Sequence, residues 1–473
     1  MINSFPLFRK RNSSKNSTNL GESNKKSPKK SLKNLAKRFA KNIAIALLYA
    51  LIFSAPIYLN IFTYLSIDAE SKQITAYLPY ANTIFALLAV ASALSVDKKY
   101  RFFFGFFVGI LWFYWTNLSF RFTPSPYLMW VCIVGVALIY AFVFYFLLFF
   151  NNKIWRIITL SLIGLVPVLG FDWLVVECLF SFSILRVDKI SFIFILSCVA
   201  LCLTLHKKRH RFAYLTLLPL IFAIDFSSAK AEIPKDIFIS EMNVNQNAKW
   251  VELDRNIEKN FRLIDEAIAQ GAKMIILPET AFPLRINQKG REYLMETLLK
   301  LSEQIIIVTG AQRGEYEFID DEFFKILATF NSTFVFEQGS FSYADKIFLA
   351  PFGEYAPLPS VFAGIIKKIF HIDITRGFDK SGNATNDLHT GLFDFRAAIC
   401  YEATTRKAFD GNPKIMIAIS NSAWFAPSIE PILQMMLMKY YARLHKTLII
   451  QSANGSKSLI ITPSVSLRFI GRD

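Results

Sequence analysis

Seven long apolar stretches follow a polar N-terminal segment and fill much of the first half of the chain. Most of them reach the ~20 residues that a helix needs to cross ~30 Å of hydrocarbon, so the pattern predicts about seven transmembrane helices within residues 42–229. The last stretch is short and contains Pro219, which makes it the least typical span. The stretches lie at about 42–66, 74–96, 102–120, 127–150, 157–180, 188–205 and 212–226.

The pattern changes near Ala231, where short apolar runs begin to alternate with amphipathic segments. Residues 251–270 place apolar side chains on one helical face, and residues 274–277 form an apolar run typical of a strand buried on both faces. This alternation predicts an α/β domain over residues 230–473. Further strands are predicted at 305–309, 328–336, 394–400, 414–420, 447–452 and 458–462. Polar residues repeatedly follow these strands, at the positions where ligand sites of α/β sheets gather.

The composition supports a membrane protein. Hydrophobic residues make up 53% of the chain, the mean hydropathy is +0.36, and there are 47 Phe residues. A purely soluble protein could not bury so much apolar surface. Five Cys residues in 473 exclude a secreted disulfide scaffold.

The net charge of +17 is concentrated at the N-terminus. Residues 1–41 contain twelve Lys or Arg residues against one acid, Glu22, so this segment carries +11. Its Ser-, Asn- and Lys-rich composition predicts a disordered tail. Directly before an apolar segment, such a tail favours a role in orientation and in contact with anionic lipid over nucleic-acid binding.

Basic residues also mark alternate loops between the apolar stretches. They occur in residues 97–101, at Lys153 and Arg156, and in residues 206–211. Because positively charged loops stay in the cytoplasm, this distribution places the N-terminus there. Seven crossings then predict that everything after about residue 230 lies on the opposite side of the membrane.

One cysteine stands apart from the others. Cys132, Cys178, Cys198 and Cys202 lie in or beside apolar stretches, where thiols pack as small hydrophobic groups. Cys400 is alone in the second half, at the end of a predicted strand and followed by polar residues. This position favours a nucleophile, although a buried, inert thiol is the common alternative.

A nucleophilic thiol needs a base. The three histidines of the second half, His371, His389 and His445, fall in predicted loops or exposed helix and not at strand ends. Glu279 follows a buried strand, so we expect a buried carboxylate that exchanges protons. A structural ion pair is the alternative for this acid. Lys346 could be the partner in that pair, or it could stabilise an oxyanion.

Three motifs now suggest a family. LPET surrounds Glu279, K-x-x-L-x-PFGEYxP begins at Lys346, and ICYE surrounds Cys400. In this order they resemble the Glu-Lys-Cys triad of the nitrilase, or carbon–nitrogen hydrolase, superfamily. With the apolar N-terminal half, the chain from about residue 42 onwards resembles the apolipoprotein N-acyltransferase family. The resemblance implies a polytopic α-helical membrane bundle followed by a nitrilase-like αββα sandwich.

The resemblance also implies a reaction. Cys400 would take an acyl chain from a phospholipid as a thioester, with Glu279 as general base and acid and Lys346 as oxyanion stabiliser. The α-amino group of a diacylglyceryl-cysteine at a lipoprotein N-terminus would then accept the chain. Phosphatidylethanolamine is the expected donor. Glu354, Tyr401 and Glu402 would support the triad.

Further expectations concern binding and location. Trp250, Asn331, Trp424 and Phe425 would contact substrate, although the aromatic residues could also simply pack. No cofactor, metal ion or nucleic acid is expected, and the protein would act as a monomer. It would be a multi-pass protein of a Gram-negative-type inner membrane, with its catalytic domain in the periplasm.

An apolar segment beside the Lys346 motif fits lipid substrates. Residues 356–370 combine an apolar face with Lys367 and Lys368, which favours an interfacial helix, with an ordinary core-facing helix as the alternative.

The chain departs from the family pattern in three places. Ser422 replaces an expected Asp, and Ala426 and Pro427 stand where a Gly is usual. No apolar stretch follows Ile470, whereas the family usually closes with a transmembrane helix, so we expect tethering at one end.

Two other functions remain open at this point. A membrane-tethered amidase or nitrilase would use the same triad on a small carbon–nitrogen substrate. A transporter or receptor would use the outer domain only for binding. The second is disfavoured because Asp172, Glu177 and Asp225 all lie near the ends of predicted spans.

Overall fold

The protein is described by a computed structural model. It describes residues 28–65, 72–123, 125–227, 232–318, 324–351, 353–355, 368, 380–382 and 386–465.

The N-terminal half is a helical bundle. Five helical segments in the described residues are long and apolar enough to cross a membrane: Lys33–Leu65, Tyr77–Ser95, Arg101–Phe122, Leu128–Leu147 and Lys189–Lys207. The bundle helices are α1 (Pro28–Leu65), α2 (Lys72–Ser95), α3 (Arg101–Phe113), α4 (Leu128–Leu147), α5 (Lys153–Leu162) and α6 (Lys189–Lys207). A 3₁₀ helix, Tyr114–Phe122, continues α3.

The fifth apolar stretch differs from the prediction of a membrane-length helix over 157–180. Helix α5 ends at Leu162, and irregular chain follows up to a short 3₁₀ helix, Val176–Phe180. Pro167 cannot supply a helical N–H, and Gly170 has a φ of +81°, which a right-handed helix does not allow. Its end, residues 173–180, is buried and contacts the second half of the chain, whereas Leu162, Leu165 and Val166 are exposed on the bundle.

The seventh stretch is also shorter than predicted. It forms a 3₁₀ helix, Ala213–Ala223, that packs along α6 and contains Pro219. At a rise of about 2 Å per residue, this tighter helix covers roughly 22 Å, less than a full hydrocarbon core. The count of seven membrane-length helices is therefore wrong for the described residues, which contain five.

The start of α1 differs from the predicted tail boundary. The structure is helical from Pro28, so residues 28–41, which we expected to be disordered, extend the first membrane helix. Leu32, Leu35 and Phe39 have helical spacing, and adding turns to an existing helix avoids the cost of nucleation. The predicted tail over 1–27 lies outside the described residues.

Consecutive bundle segments run in alternate directions. At one end, Arg156 in the first turns of α5 donates to the carbonyls of Leu94 (2.8 Å) and Val96 (2.5 Å) at the end of α2. At the other end, the Tyr64 hydroxyl near the end of α1 accepts from the Lys457 N–H at 2.6 Å. The second half of the chain thus lies at the end of the bundle where α1 finishes.

The second half contains two sheets in the described residues. The first has strand order β1-β3-β5-β6-β7 with β4 beside β5, and the second has order β12-β11-β10-β9-β8 with β2 beside β11. The strands are β1 (Ile237–Ile239), β2 (Glu241–Met242), β3 (Met274–Ile276), β4 (Phe282–Arg285), β5 (Ile306–Phe318), β6 (Phe324–Glu337), β7 (Ser340–Asp345), β8 (Asp387–Leu388), β9 (Phe395–Ile399), β10 (Ile415–Asn421), β11 (Leu448–Asn454) and β12 (Leu459–Ile461). The helices are α7 (Ala248–Val251), α8 (Leu253–Ala269), α9 (Glu292–Leu301) and α10 (Glu430–His445).

The two sheets pack face to face between helical layers. Side chains alternate across each strand, so Ile275 faces α8 and α9 whereas Met274 and Ile276 face the second sheet. In β10, Ile417 faces the first sheet and Met416 faces α10. The order is therefore helix, sheet, sheet, helix, and the predicted αββα sandwich is confirmed.

Helix α10 joins the sandwich to the bundle, because it is buried on nearly every side. Its Arg443 donates to the carbonyls of Phe180, Ser181 and Ser183 at 3.0 Å each and to that of Leu185 at 2.7 Å. It also pairs with Asp225 at 2.8 Å. A buried guanidinium thus binds the irregular chain between α5 and α6 to the second half of the protein.

Candidate active site

The three predicted chemical residues lie together at strand ends of both sheets. Glu279 follows β3, Lys346 directly follows β7, and Cys400 directly follows β9. The charges of Glu279 and Lys346 both act on the Cys400 thiol, and that of Glu279 acts on Lys346. Face-to-face packing of the sheets therefore brings into one cluster residues that are widely separated in sequence.

A strained turn presents Glu279. Thr280 has a φ of +50°, a left-handed conformation that is unfavourable for a β-branched residue. Gly310 in β5 lies against this turn, and a Cβ there would approach the Glu279 Cα to 2.7 Å. Only glycine therefore lets the strand pass so close to the carboxylate-bearing turn.

A buried lysine supports the same turn. Lys249 in α7 is 4% exposed, and its Nζ donates to the Thr280 hydroxyl and, at 3.4 Å, to the Glu279 carbonyl. Burial, opposed by the negative charge of Glu279, lowers the pKa of Lys249 to about 8. Lys249 directly precedes Trp250 in the sequence, but it was not predicted as a site residue.

We expect the buried Lys249 to make the stability of the protein depend on pH. An unfolded lysine titrates near 10.4, so between about pH 8 and 10.4 the unfolded state binds more protons and the wild-type protein becomes more stable as pH rises. In Lys249→Met this gain, up to about 3 kcal/mol, should be missing. Thermal unfolding of both proteins at pH 7.5 and 9.5 checks this.

The exposed Lys273, which pairs with Asp236 at 3.2 Å, provides a matched control. Lys273→Met should show no such pH-dependent difference from wild type. If the free energies of unfolding of wild type and Lys249→Met differed by the same amount at both pH values, the lowered pKa of Lys249 would be contradicted.

Lys346 is held by a buried polar network. It is 1% exposed, and its Nζ bonds Glu354 Oε1 at 2.7 Å. Asn331 donates from Nδ2 to Glu279 Oε1 at 2.8 Å and to Glu354 Oε1 at 3.4 Å, while its carbonyl accepts the Lys346 N–H at 2.8 Å. Asn331, predicted to bind substrate, thus connects the carboxylates of Glu279 and Glu354 to the backbone of Lys346.

The network keeps Lys346 charged. Burial alone would lower its pKa, but the carboxylates of Glu354 and Glu279 more than offset this and raise it above its usual value. A fixed, desolvated ammonium beside Cys400 is well placed to stabilise negative charge that develops during a reaction.

Cys400 lies at a tight turn of the backbone. Its φ is +53°, in the left-handed region, and it opens a 3₁₀ turn, Cys400–Thr404. Burial and the charge of Glu279 raise the pKa of the half-buried thiol well above its ordinary value, against the opposing effect of Lys346. The resting thiol is therefore protonated, and its nucleophilicity depends on a neighbouring base.

Glu402 connects the lysine and cysteine segments. Its carboxylate accepts the N–H groups of Ile347 at 3.0 Å, Phe348 at 3.3 Å and Ile399 at 3.0 Å. Burial raises its pKa to about 7, partly opposed by these hydrogen bonds. The side chain thus fixes the segments after β7 and before Cys400 relative to each other.

Tyr401 connects the Cys400 turn to the bundle. Its hydroxyl donates to Asp172 at 2.6 Å, and its ring stacks on Phe171 and Trp173 at centroid distances of 5.7 and 6.3 Å. These partners lie in the irregular chain between α5 and α6. Asp172 was considered only as a span-end residue, because no local pattern relates it to Cys400.

The predicted aromatic contacts are partly described. Phe425 packs edge-on against Trp115 at 5.0 Å, whereas Trp424 is 38% exposed and contacts Phe122 at 5.6 Å. Both residues thus border the bundle. The backbone of Trp250 lies in α7. Apart from the exposed Lys368, the segment 356–370 lies outside the described residues.

Sequence reasoning also missed Glu430. This acid is 1% exposed at the start of α10; the charge of Glu279 acts on it, and its own charge acts on Cys400. Its only sequence signal is a place in the first helical turn, where acids are common. In the part of the chain that the structure describes, no group of three or more His, Cys, Asp or Glu residues could hold a metal ion.

The fold and this cluster define a polytopic membrane protein that carries an α/β domain with a half-buried cysteine, a lysine and carboxylates at its bundle-facing side. Comparison with known proteins agrees. The model of the apolipoprotein N-acyltransferase integral membrane domain matches residues 40–226.

Two curated relatives extend the match over most of the chain. The apolipoprotein N-acyltransferase of Wolinella succinogenes is 37% identical over 414 residues, covering 87% of this chain and 94% of the relative. That of Helicobacter pylori is 36% identical over 398 residues, covering 82% and 90%. The chain therefore belongs to the apolipoprotein N-acyltransferase family, as the motifs predicted.

Solved structures resemble the second half only weakly. An amidase of the nitrilase superfamily from Nesterenkonia aligns with a TM-score of 0.34 and 12% identity, over 50% of this chain and 86% of the amidase. A nitrilase-superfamily protein from Saccharomyces cerevisiae aligns with a TM-score of 0.34 and 15% identity, over 50% and 85%. Such scores do not establish a fold, and the layer order rests on the strand pairing described above.

Proposed function

We propose that this protein transfers an acyl chain from a phospholipid to the N-terminus of an apolipoprotein through a thioester on Cys400. The observation that carries the proposal is the cluster at the bundle-facing end of the sandwich, where a strained cysteine lies within reach of the charges of Lys346 and Glu279. Membership of the family supports the substrate classes.

The first half-reaction forms the thioester. The Glu279 carboxylate takes the thiol proton, and the Cys400 sulfur attacks the ester carbonyl of the phospholipid. Lys346 stabilises the tetrahedral oxyanion. The carbon–oxygen bond then breaks, and Glu279 returns the proton to the oxygen of the departing lysophospholipid. Phosphatidylethanolamine is the donor that we propose.

The second half-reaction forms the amide. The uncharged α-amino group of the acceptor's diacylglyceryl-cysteine attacks the thioester, and Lys346 again stabilises the oxyanion. The carbon–sulfur bond breaks, and Glu279 carries the amine proton to the Cys400 sulfur. Glu354, Glu402 and Tyr401 position these groups through the contacts described above.

The bundle accounts for the lipid substrates. We propose that the N-terminus is cytoplasmic and that the sandwich faces the periplasm from a Gram-negative-type inner membrane, as the basic loops predict. Trp424 and Phe122, which meet where the sandwich borders the bundle, would then lie near the level of the headgroups, a depth that suits aromatic rings. A monomer suffices for this arrangement.

The test is intact-mass analysis of the purified protein after incubation with phosphatidylethanolamine. Wild type should gain one acyl chain, lost on hydroxylamine treatment, whereas Cys400→Ser should gain none that hydroxylamine removes. Cys202→Ser is the control, because that thiol lies in α6 and should leave the adduct intact. A folded wild type without an adduct would contradict the proposal.

A second measurement separates transfer from hydrolysis. Adding a diacylglyceryl-cysteine lipopeptide to the acyl-enzyme should yield N-acylated peptide and free enzyme. If water removes the acyl group instead, with no peptide product, the membrane-tethered amidase becomes the better description.

We expect the basic N-terminal segment to be dispensable for chemistry. Deleting residues 2–27 leaves α1 complete and touches no described contact of the site. Acyl transfer per inserted molecule should stay within about 2-fold of wild type, since no catalytic interaction is lost. The rate is measured on equal amounts of membrane-inserted protein, and a larger loss would contradict this expectation.

A further inference from the structure

Glu430 is a buried acid that the proposed chemistry does not yet use. It is 1% exposed and begins α10, where its N–H donates to the Ser428 hydroxyl at 3.1 Å. The Ser422 hydroxyl hydrogen-bonds its carboxylate. Its second oxygen, Oε2, has no hydrogen-bond partner within the described residues, so one acceptor position is open at a buried site.

Glu430 is close enough to Cys400 to interact with it electrostatically. Helix α10 packs against the 3₁₀ turn that Cys400 begins, and the charge of Glu430 acts on the Cys400 thiol. The charge of Glu279 acts on Glu430, and the charge of Glu430 acts on Tyr64 at the end of α1. Among the described residues, Glu430 thus interacts electrostatically with titratable groups of the first sheet, the second sheet and the bundle.

The acyl transfer to an amine creates a need for a second base. An α-amino group has a pKa near 7.7–8.0, so a large share of acceptor reaches the enzyme as ammonium. Its nitrogen must then lose two protons before it becomes an amide. One returns to the Cys400 sulfur as the carbon–sulfur bond breaks, and Glu279 can carry that one. The other proton has to leave before attack.

We propose that Glu430 binds the acceptor's ammonium group and takes this first proton, so that the neutral amine can attack the Cys400 thioester. The assignment rests on the proposed function. The open Oε2 provides the hydrogen-bond acceptor, and the neighbouring thioester provides the reaction partner. After attack, Glu430 releases the proton to solvent when the product leaves.

The electrostatics of the acid fit this role. Burial, together with the charge of Glu279, raises the pKa of Glu430 to about 8, although the Ser422 hydroxyl opposes the shift. The free acid is therefore mostly protonated below pH 8, and it ionises when the positive charge of the arriving ammonium favours the carboxylate. The pKa of the acid is similar to that of an α-amino group, so proton transfer within the bound pair costs little free energy. The first turn of a helix also stabilises the ionised carboxylate through the peptide dipoles.

The test separates the two half-reactions in the full-length enzyme. Single-turnover release of lysophospholipid measures thioester formation, and transfer to a diacylglyceryl-cysteine lipopeptide measures aminolysis, each between pH 6.5 and 9. In Glu430→Gln, thioester formation should stay within about 3-fold of wild type. Aminolysis should fall about 10-fold or more at pH 6.5 and recover towards pH 9, where the amine is already neutral.

Hydroxylamine provides an internal comparison, because it is uncharged at pH 6.5 and should cleave the variant thioester as fast as the wild-type one. Equal losses in both half-reactions at every pH would show that Glu430 only supports the helix start and would overturn the proposal. Unimpaired aminolysis at pH 6.5 would overturn it too. Absence of a thioester in wild type would instead contradict the proposed function.

If Glu430→Gln forms no thioester, Glu430→Asp replaces it. Aspartate keeps an acid in the first helical turn but withdraws the carboxylate by one methylene. Slower aminolysis at pH 6.5 with normal thioester formation would support the proposal, and unchanged aminolysis would overturn it. Ser428→Ala, which alters only a contact of the backbone N–H, is the control and should not make aminolysis pH-dependent.

Discussion

Replacing Lys346 with methionine should slow thioester formation by about 10²–10³-fold, the usual effect of removing an oxyanion-stabilising group. Methionine has a similar length but no charge, so the carboxylates of Glu354 and Glu279 would face the site without their cation. Lys346 also lowers the pKa of the Cys400 thiol against the opposing effects of burial and Glu279. Its loss should therefore make the thiol harder to ionise as well.

The measurement is the single-turnover release of lysophospholipid by equal amounts of folded protein. Lys273→Met, at a lysine side chain that is 64% exposed, is the matched control and should keep normal activity. Unfolding midpoints of both variants separate chemistry from stability. A folded Lys346→Met protein with more than a tenth of the wild-type rate would contradict the assignment.

Replacing Arg443 with methionine should destabilise the protein by about 3–5 kcal/mol, the range measured when one partner of a buried ion pair is removed. The guanidinium is completely buried, and it donates hydrogen bonds to four backbone carbonyls and pairs with Asp225. Methionine would leave these oxygens without donors inside the protein. The irregular chain between α5 and α6 should then separate from α10.

Thermal unfolding in detergent micelles measures the loss of stability, and limited proteolysis reports whether the region around residues 180–185 becomes accessible. Arg255→Met is the matched control, since this arginine side chain is 78% exposed in an ion pair with Glu252. Its loss should cost less than about 1 kcal/mol. Equal unfolding midpoints for the two variants would disprove the role of Arg443.

Glycine and proline positions explain why the bundle was predicted only in part. Hydropathy identifies a segment that avoids water, but lipid and a protein interior are equally good at excluding it. Within residues 157–180, the segment 173–180 is buried: Trp173 stacks on Tyr401, and the 3₁₀ helix Val176–Phe180 contacts α10. Pro167 and Gly170 were visible signs of a broken helix, but a window average conceals them.

The candidate site, like the bundle, could be predicted from the sequence only in part. Glu279 and Cys400 could be predicted because each comes at the end of a predicted strand, and Lys346 because its motif lies between theirs in a characteristic order. The partners that hold them could not. Asn331 and Asp172 lie in segments with no local signal of chemistry, and their contacts depend on how the sheets and the bundle pack.

By itself, the sequence determined the membrane half, the αββα half, the strand ends that bear the chemistry and the family. The membrane half and the α/β character of the second half follow from hydrophobic periodicity, which is a local property of the chain. The αββα layering and the family are implied by the resemblance of the motifs to a known family. Only the tertiary structure decided that the charge of Glu430 acts on Cys400, that Lys249 supports the Glu279 turn and that Arg443 joins the two halves. The physical reason is that burial and charge at these positions arise from contacts between residues far apart in sequence, which no local pattern encodes.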